Sequence, residues 1–224
     1  MELKPHGKLT RTLQILLKIT IVVTAIAIAV GFYDLYSYST LPSGVEANDN
    51  MLSSDVVNGI VGIIQIVLAI VTGITFLRWI YRSNKNLHAL SGESMTFTPG
   101  WSVGWYFIPI ANLWKPYQVM KEIWNVSHKD SPTNHTIVCW WWTLWLISNF
   151  LGRLAFKLGM RADDANSYAV SATMFIISDG LDMILTVVTL VMVTHIGTAY
   201  SRNIVEPTGP VDGGSVVASP PPLT

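Results

Sequence analysis

The chain is 224 residues long, and only 12% of its residues carry a charge while 50% are apolar. A soluble domain usually has about 25% charged residues, so this composition excludes most soluble folds and suits a chain that offers much surface to lipid. The formal net charge is zero, so no overall basic field indicates a nucleic-acid partner. The single cysteine, Cys139, excludes an internal disulfide and any cysteine-cluster metal site.

Long apolar stretches recur along the chain. They cover about 13–33, 56–77, 137–156 and 169–200. A helix needs about 20 mostly apolar residues to cross the hydrocarbon core of a bilayer. In lipid the backbone must satisfy its own hydrogen bonds, so such stretches should be helical. The sequence therefore predicts an all-α fold, an integral membrane four-helix bundle over 13–200. The alternative is a set of buried helices in a large soluble core, for which the chain is short.

The first apolar stretch also has features of a signal peptide, because the N-terminal segment 1–12 is basic. Its apolar part, however, is longer than the roughly 7 to 15 residues of a signal-peptide core. We therefore expect an uncleaved membrane anchor. The Pro-, Gly- and Ser-rich tail, 201–224, has too little apolar content to fold and is predicted to be disordered.

Basic residues are unevenly distributed along the chain. The loop 34–55 holds no Lys or Arg and several acids. Basic residues instead precede the first span and follow the second: Lys4, Lys8, Arg11, Arg78, Arg82, Lys85, Lys115, Lys121 and Lys129. Because cytoplasmic loops are enriched in Lys and Arg, we expect both termini and the segment between the second and third spans to be cytoplasmic.

The central segment, 97–127, resembles neither a loop nor a span. Its first part, 97–114, is uncharged and rich in aromatic residues, unlike a water-exposed loop. Pro99 and Pro109 disfavour a continuous helix, since proline removes a hydrogen bond and crowds the preceding turn. We predict a helix–break–helix element, re-entrant or interfacial on the cytoplasmic side. A fifth full span remains the alternative, although it would place several lysines outside.

The second half of this element has the pattern of an amphipathic helix. Pro116 suits the first turn of a helix. Tyr117, Met120, Ile123 and Trp124 then fall on one face. We expect this helix to lie along the membrane surface and to pack on the bundle. The residues predicted to form an interaction surface here are Trp101, Trp105, Pro109, Asn112, Trp114, Pro116 and Tyr117.

The same part of the chain carries a family resemblance. The strings FLRWIYRSNKNL at 76–87, FTPGWSVGWYFIPIANLWKPYQ at 97–118 and EIW at 122–124 resemble bacterial membrane proteins of the domain-of-unknown-function family numbered 4328. The resemblance implies a multi-pass protein of the bacterial cytoplasmic (inner) membrane without an assigned activity. The resemblance implies no catalytic residues that could be matched to positions of this chain.

Two acids lie inside the fourth apolar stretch. Asp179 and Asp182 are three residues apart and share a helix face. A carboxylate in the membrane is costly unless it is paired or protonated, and it is a functional candidate by default. Arg153 and Lys157 are the candidate partners. The site is then either a structural ion pair or a site that handles protons or cations.

Other polar residues near the second span have two interpretations. Arg78 and Arg82 lie four residues apart and could anchor the helix to lipid headgroups. Alternatively, both pair with Glu122 and hold the central element to the bundle. Asn112, between two prolines, is predicted to cap the following helix or to bond carbonyls freed by Pro109.

No sequence signature indicates catalysis: the chain has no phosphate-binding glycine loop, HExxH motif or nucleophile elbow. We therefore expect no enzyme, no cofactor and no metal. The sequence favours a non-enzymatic interaction or regulatory protein, whose partners are the lipid bilayer and either a membrane protein or further copies of the chain. The alternative is a small oligomeric transporter or channel that uses Asp179 and Asp182.

Overall fold

A computed structural model describes residues 7–40, 49–91, 95–128, 134–162 and 164–205. The helices are α1 (Gly7–Ser39), α2 (Asp49–Ser91), α3 (Pro99–Gly104), α4 (Lys115–Ser127), α5 (Thr136–Gly159) and α6 (Ala165–Val205). Short 3₁₀ turns at Trp105–Phe107 and Ala111–Leu113 join α3 to α4. The prediction of an all-α chain is confirmed, since the described ranges contain no strand.

Some boundaries differ from those predicted. α1 begins at Gly7, inside the segment predicted to be a cytoplasmic N-terminus. It ends at Ser39, so Asp34 belongs to a helix and not to the predicted loop 34–55. α6 continues to Val205, so the first residues of the predicted tail are helical. The rest of that tail, 206–224, lies outside the described residues.

Three helices are long and apolar enough to cross a membrane: Gly7–Ser37, Val56–Ala89 and Asn166–Tyr200. Each contains one predicted span. The remaining predicted span, 137–156, lies within α5, which has 24 residues. At about 1.5 Å per residue, that length covers roughly the 30 Å of the hydrocarbon core. α5 is not one of these three helices, and it includes several Trp residues as well as Asn149, Arg153 and Lys157.

The long helices are arranged in the order α2, α1, α6, α5, and each packs on the next. Small residues let α1 and α6 approach closely. A Cβ atom added at Gly31 would lie 2.8 Å from Ile176 Cγ1, and one at Gly197 would lie 3.1 Å from Thr10 Cγ2. A larger residue at either position would therefore require the facing side chain to shift.

The apolar core lies at one end of the bundle. It joins the start of α1, the end of α2, the start of α5 and the end of α6. Its most deeply buried members include Leu13, Trp79, Ile80, Val119, Met120, Ile123, Val138, Met192, Val193 and Ile196. Since these residues come from alternate ends of successive helices, the long helices run up and down.

The central element packs against the core at this end of the bundle. α4 turns its apolar face inward, so that Val119, Met120 and Ile123 are fully buried in the core. The chain between α3 and α4 faces outward instead, with Phe107 72% exposed and Ile110 71% exposed. The break in helical structure falls around Pro109, as predicted.

α6 begins with a reciprocal cap. The backbone N–H of Ser167 donates to Asp164 Oδ1 at 2.8 Å, and the backbone N–H of Asp164 donates to Ser167 Oγ at 3.0 Å. This exchange satisfies donors that a helix start otherwise leaves unpaired. It also holds the pKa of the exposed Asp164 carboxyl below its ordinary value, chiefly through the hydrogen bond from the Ser167 side chain.

Candidate functional site

Away from the core, three carboxylates point into the bundle. Asp34 on α1 is only 3% exposed. Asp179 and Asp182 on α6 are partly buried on the face that α6 turns toward α2 and α5. All three belong to helices that are long and apolar enough to cross a membrane.

Each carboxylate accepts a hydrogen bond from a neutral side chain of a neighbouring helix. Asn58 Nδ2 on α2 donates to Asp34 Oδ2 at 2.5 Å. Gln65 Nε2 on α2 donates to Asp179 Oδ1 at 3.1 Å. Ser148 Oγ on α5 donates to Asp182 Oδ1. These bonds join the helices, and the donors to Asp179 and Asp182 carry no positive charge.

These carboxylates line two adjacent cavities. The first, which we call the aromatic cavity, has a volume of about 570 Å³ and is lined by Asp179 and Asp182 together with five rings. The rings are those of Phe76, Tyr106, Trp141, Trp145 and Phe175. The second, the terminal cavity, has a volume of about 670 Å³ and is lined by Asp34 and Asp179. Gln65, Ile66, Phe175 and Asp179 line both cavities, so Asp179 lies between them.

The cavity walls contain no Lys, Arg or His among the described residues. Arg153 and Lys157, the predicted partners of the acids, are both exposed. Within the described ranges, neither forms an ion pair with Asp179 or Asp182. The structure thus places the two acids on one face as predicted, and gives them amide and hydroxyl partners in place of the predicted arginine.

Two hydroxyl groups of the aromatic cavity lack a hydrogen-bond partner within the described structure. They are Tyr106 Oη, from the central element, and Thr72 Oγ1, from α2. A buried hydroxyl without a partner costs about 1–3 kcal/mol. Since both groups belong to residues that line the cavity, a polar molecule inside it could satisfy them.

Glu122 holds the central element together in a way that the sequence did not indicate. Its carboxylate accepts the backbone N–H of Thr96 at 2.5 Å and that of Phe97 at 3.2 Å. The predicted pairing of Glu122 with Arg78 and Arg82 does not occur in the described structure. A carboxylate that binds two backbone donors clamps the start of the element onto α4.

The arginines themselves lie at the surface of α2: Arg78 is exposed and Arg82 is half-buried. The anchoring interpretation of these residues stays a prediction. The contact that joins the end of α2 to the central element comes instead from Asn84, whose Nδ2 donates to the carbonyl of Phe97 at 3.0 Å.

Aromatic rings and a lysine order the outer part of the element. Lys115 Nζ lies 5.4 Å from the ring centroids of both Phe97 and Trp105, a cation–π arrangement. The Trp101 and Trp105 rings pack with centroids 4.7 Å apart. Trp142 on α5 donates to the carbonyl of Leu113 at 2.9 Å.

Asn112 does not cap α4, and its alternative role of bonding carbonyls freed by Pro109 stays a prediction. No side chain caps α4, and Asn112 Oδ1 is buried without a hydrogen-bond partner in the described structure. Pro116 is buried in the first turn of α4, as its position predicted, while Tyr117 is half-buried beside the core. Pro109 and Trp114 lie at the exposed side of the element.

Several residues of the site were missed from sequence: Asp34, Asn58, Gln65, Thr72, Tyr106 and Ser148. A signal was present for two of them, since Asn58 and Gln65 are amides within the apolar stretch 56–77. For Tyr106 there was none, because its ring is one of many in an aromatic segment. Its place in the cavity depends on how the central element folds back.

Fold and site together define a class: a chain that is helical throughout its described secondary structure, with membrane-capable helices and with acids that line two adjoining cavities. A family model, the domain of unknown function DUF4328, matches residues 44–198. The chain therefore belongs to the DUF4328 family, and the predicted resemblance is confirmed. No significant match was found to a curated protein or to a solved structure.

Proposed function

We propose that this chain is a non-enzymatic, four-span protein of the bacterial inner membrane that binds and exchanges protons or small cations in its acidic cavities. It would act as a small transporter or channel, as an oligomer if four helices alone leave too narrow a path. The single observation that carries this proposal is that Asp179 and Asp182 face cavities lined by no basic side chain in the described structure.

The physical argument concerns charge compensation. An ionised carboxylate in a low-dielectric interior needs a counter-charge or a proton. The donors that reach Asp179 and Asp182 are the neutral groups of Gln65 and Ser148. The missing positive charge therefore comes from outside the protein, as a proton or as a bound cation.

The proposed topology rests on the ends of the helices. Lys8, Arg11, Arg82, Lys115 and Lys121 all belong to the end of the bundle that holds the core and the central element. By the positive-inside rule this end faces the cytoplasm. The aromatic cavity then extends from the middle of the bundle toward the core at this end, and the terminal cavity extends toward the opposite side.

Ion flux tests this function. The full-length protein is reconstituted in liposomes with a pH gradient and, separately, with a cation gradient. We expect flux with the native chain and its loss in the double variant Asp179→Asn, Asp182→Asn. Asp164→Asn is the matched control, because it removes an exposed carboxylate outside both cavities. If the native protein moved neither protons nor cations, the proposal would be wrong.

A second function, interaction with a membrane partner, is favoured by the outer side of the central element. Large apolar side chains are exposed there: Trp101, Phe107, Ile110, Leu113 and Trp114. Photo-crosslinking from positions 101 and 114 in cells would distinguish a protein partner from lipid. If only lipid were captured, this second function would lose its support.

A further inference from the structure

We propose that the aromatic cavity binds an organic ammonium ion with an apolar body. This inference rests on the proposed cation-binding function and deepens it by naming the class of cation. It follows from the size of the cavity, its rings, its two carboxylates and its two unpartnered hydroxyls.

The size of the cavity suits a molecule and exceeds the needs of a bare ion. Its volume of about 570 Å³ lies within the range of roughly 300–1,000 Å³ typical of small-molecule sites. Most of its wall is apolar, and it is built from residues such as Leu17, Val23 and Leu185. A metal ion would leave this apolar wall without a role, whereas a ligand with hydrocarbon groups would cover it.

The rings give the cavity a preference for positive charge. Phe76 and Trp141 lie side by side with centroids 5.9 Å apart, and Trp145 also lines the cavity. The face of an aromatic ring attracts cations, and aromatic cages are used to bind quaternary ammonium groups. An ammonium carrying alkyl or aryl groups satisfies both the rings and the apolar wall.

The carboxylates supply the counter-charge. Asp179 and Asp182 line the cavity on one helix face, and their recorded hydrogen-bond partners are neutral. Tyr106 Oη and Thr72 Oγ1 are buried there without partners, which leaves hydrogen-bonding capacity free for a ligand. The partly buried acids and the unpartnered hydroxyls are independent observations: the acids point to a positively charged group in this cavity, and the hydroxyls point to a ligand there.

Binding of benzyltrimethylammonium to the detergent-solubilised full-length chain, measured by calorimetry, tests the inference. Its neutral isostere, neopentylbenzene, has the same shape without the charge. We expect the ammonium to bind at least about tenfold more tightly than the isostere, because the carboxylates and rings both favour the cation. Equal binding of the two compounds would overturn the inference.

Variants locate the bound probe. The double variant Asp179→Asn, Asp182→Asn should weaken binding of benzyltrimethylammonium at least about tenfold. Trp145→Leu, which removes a ring but keeps an apolar side chain, should weaken it about three- to tenfold. Asp164→Asn should leave it unchanged. If the double variant failed to fold, Trp145→Leu and the isostere comparison would still decide, and unchanged binding in Trp145→Leu would contradict the site.

The flux experiment and the binding experiment test the two proposals separately. Flux that depends on Asp179 and Asp182, without any binding of benzyltrimethylammonium, would leave the proposed function intact and overturn the ligand class. Absence of both flux and binding would overturn the two proposals together.

Discussion

Gln65 Nε2 lies 3.1 Å from Asp179 Oδ1, and this hydrogen bond joins the second membrane-capable helix to the last one across the boundary of the two cavities. α2 otherwise packs on α1 and on the central element. The bond therefore spans a region where the helices are separated by cavity space, and it sets the position of the carboxylate that both cavities share.

Gln65→Leu should destabilise the protein by about 1 kcal/mol, as typical side-chain hydrogen bonds between membrane helices do. The reason is that Asp179 loses its donor while the apolar volume of the site is kept. Thermal unfolding in detergent measures the effect. Gln118→Leu, at an exposed position of α4, is the control. Equal losses in the two variants would mean that the bond to Asp179 contributes nothing specific.

Met120→Ala should cost about 2–5 kcal/mol, because Met120 is fully buried in the core and its loss leaves a cavity. Leu113→Ala should change stability by less than about 0.5 kcal/mol, because Leu113 is 55% exposed. Unfolding by denaturant compares the two variants. A small effect of Met120→Ala would show that α4 lies free on the membrane surface and does not pack on the bundle.

Glu122→Gln should loosen the start of the central element. The neutral amide accepts hydrogen bonds more weakly than a carboxylate, so the clamp on Thr96 and Phe97 should lose about 1 kcal/mol. Hydrogen exchange at 95–99 should speed up several-fold, while α1 stays protected. Lys121→Gln, at the neighbouring position of α4, is the control. Unchanged exchange in Glu122→Gln would show that these bonds do not hold the segment.

The start of α6 should be sensitive to acid. The pKa of Asp164 is lowered below its ordinary value of 3.8 by the bonds from Ser167. A depressed pKa means that the cap stabilises the helix at neutral pH and that this stabilisation is lost as the pH falls below 3.8 toward the lowered pKa. Protection of the Ser167 amide from exchange, relative to its intrinsic rate at each pH, should therefore fall in that range. Asp164→Asn should abolish this pH dependence, and its persistence in the variant would assign the effect to another group.

Prediction from sequence succeeded where one residue pattern dictates one local structure. Apolar stretches of about 20 residues or more dictate helices, and Pro109 dictates a break. The two acids were found because charge within an apolar stretch is costly, and a spacing of three places them on one face. Their partners were not found, because a single charge was assumed to need an opposite charge. Gln65 and Ser148 come from helices whose relative rotation no local pattern encodes.

The amino-acid sequence by itself determined the helical class, the apolar stretches and the family. The helices and apolar stretches follow from hydropathy, which is a local property of a few helical turns. The family follows from the shared residue strings. Only the tertiary structure decided that Asp34 is buried, that Glu122 binds backbone N–H groups, and that Tyr106 reaches a cavity beside Asp179 and Asp182. Such contacts join residues far apart in the chain, and they depend on how long helices pack side by side.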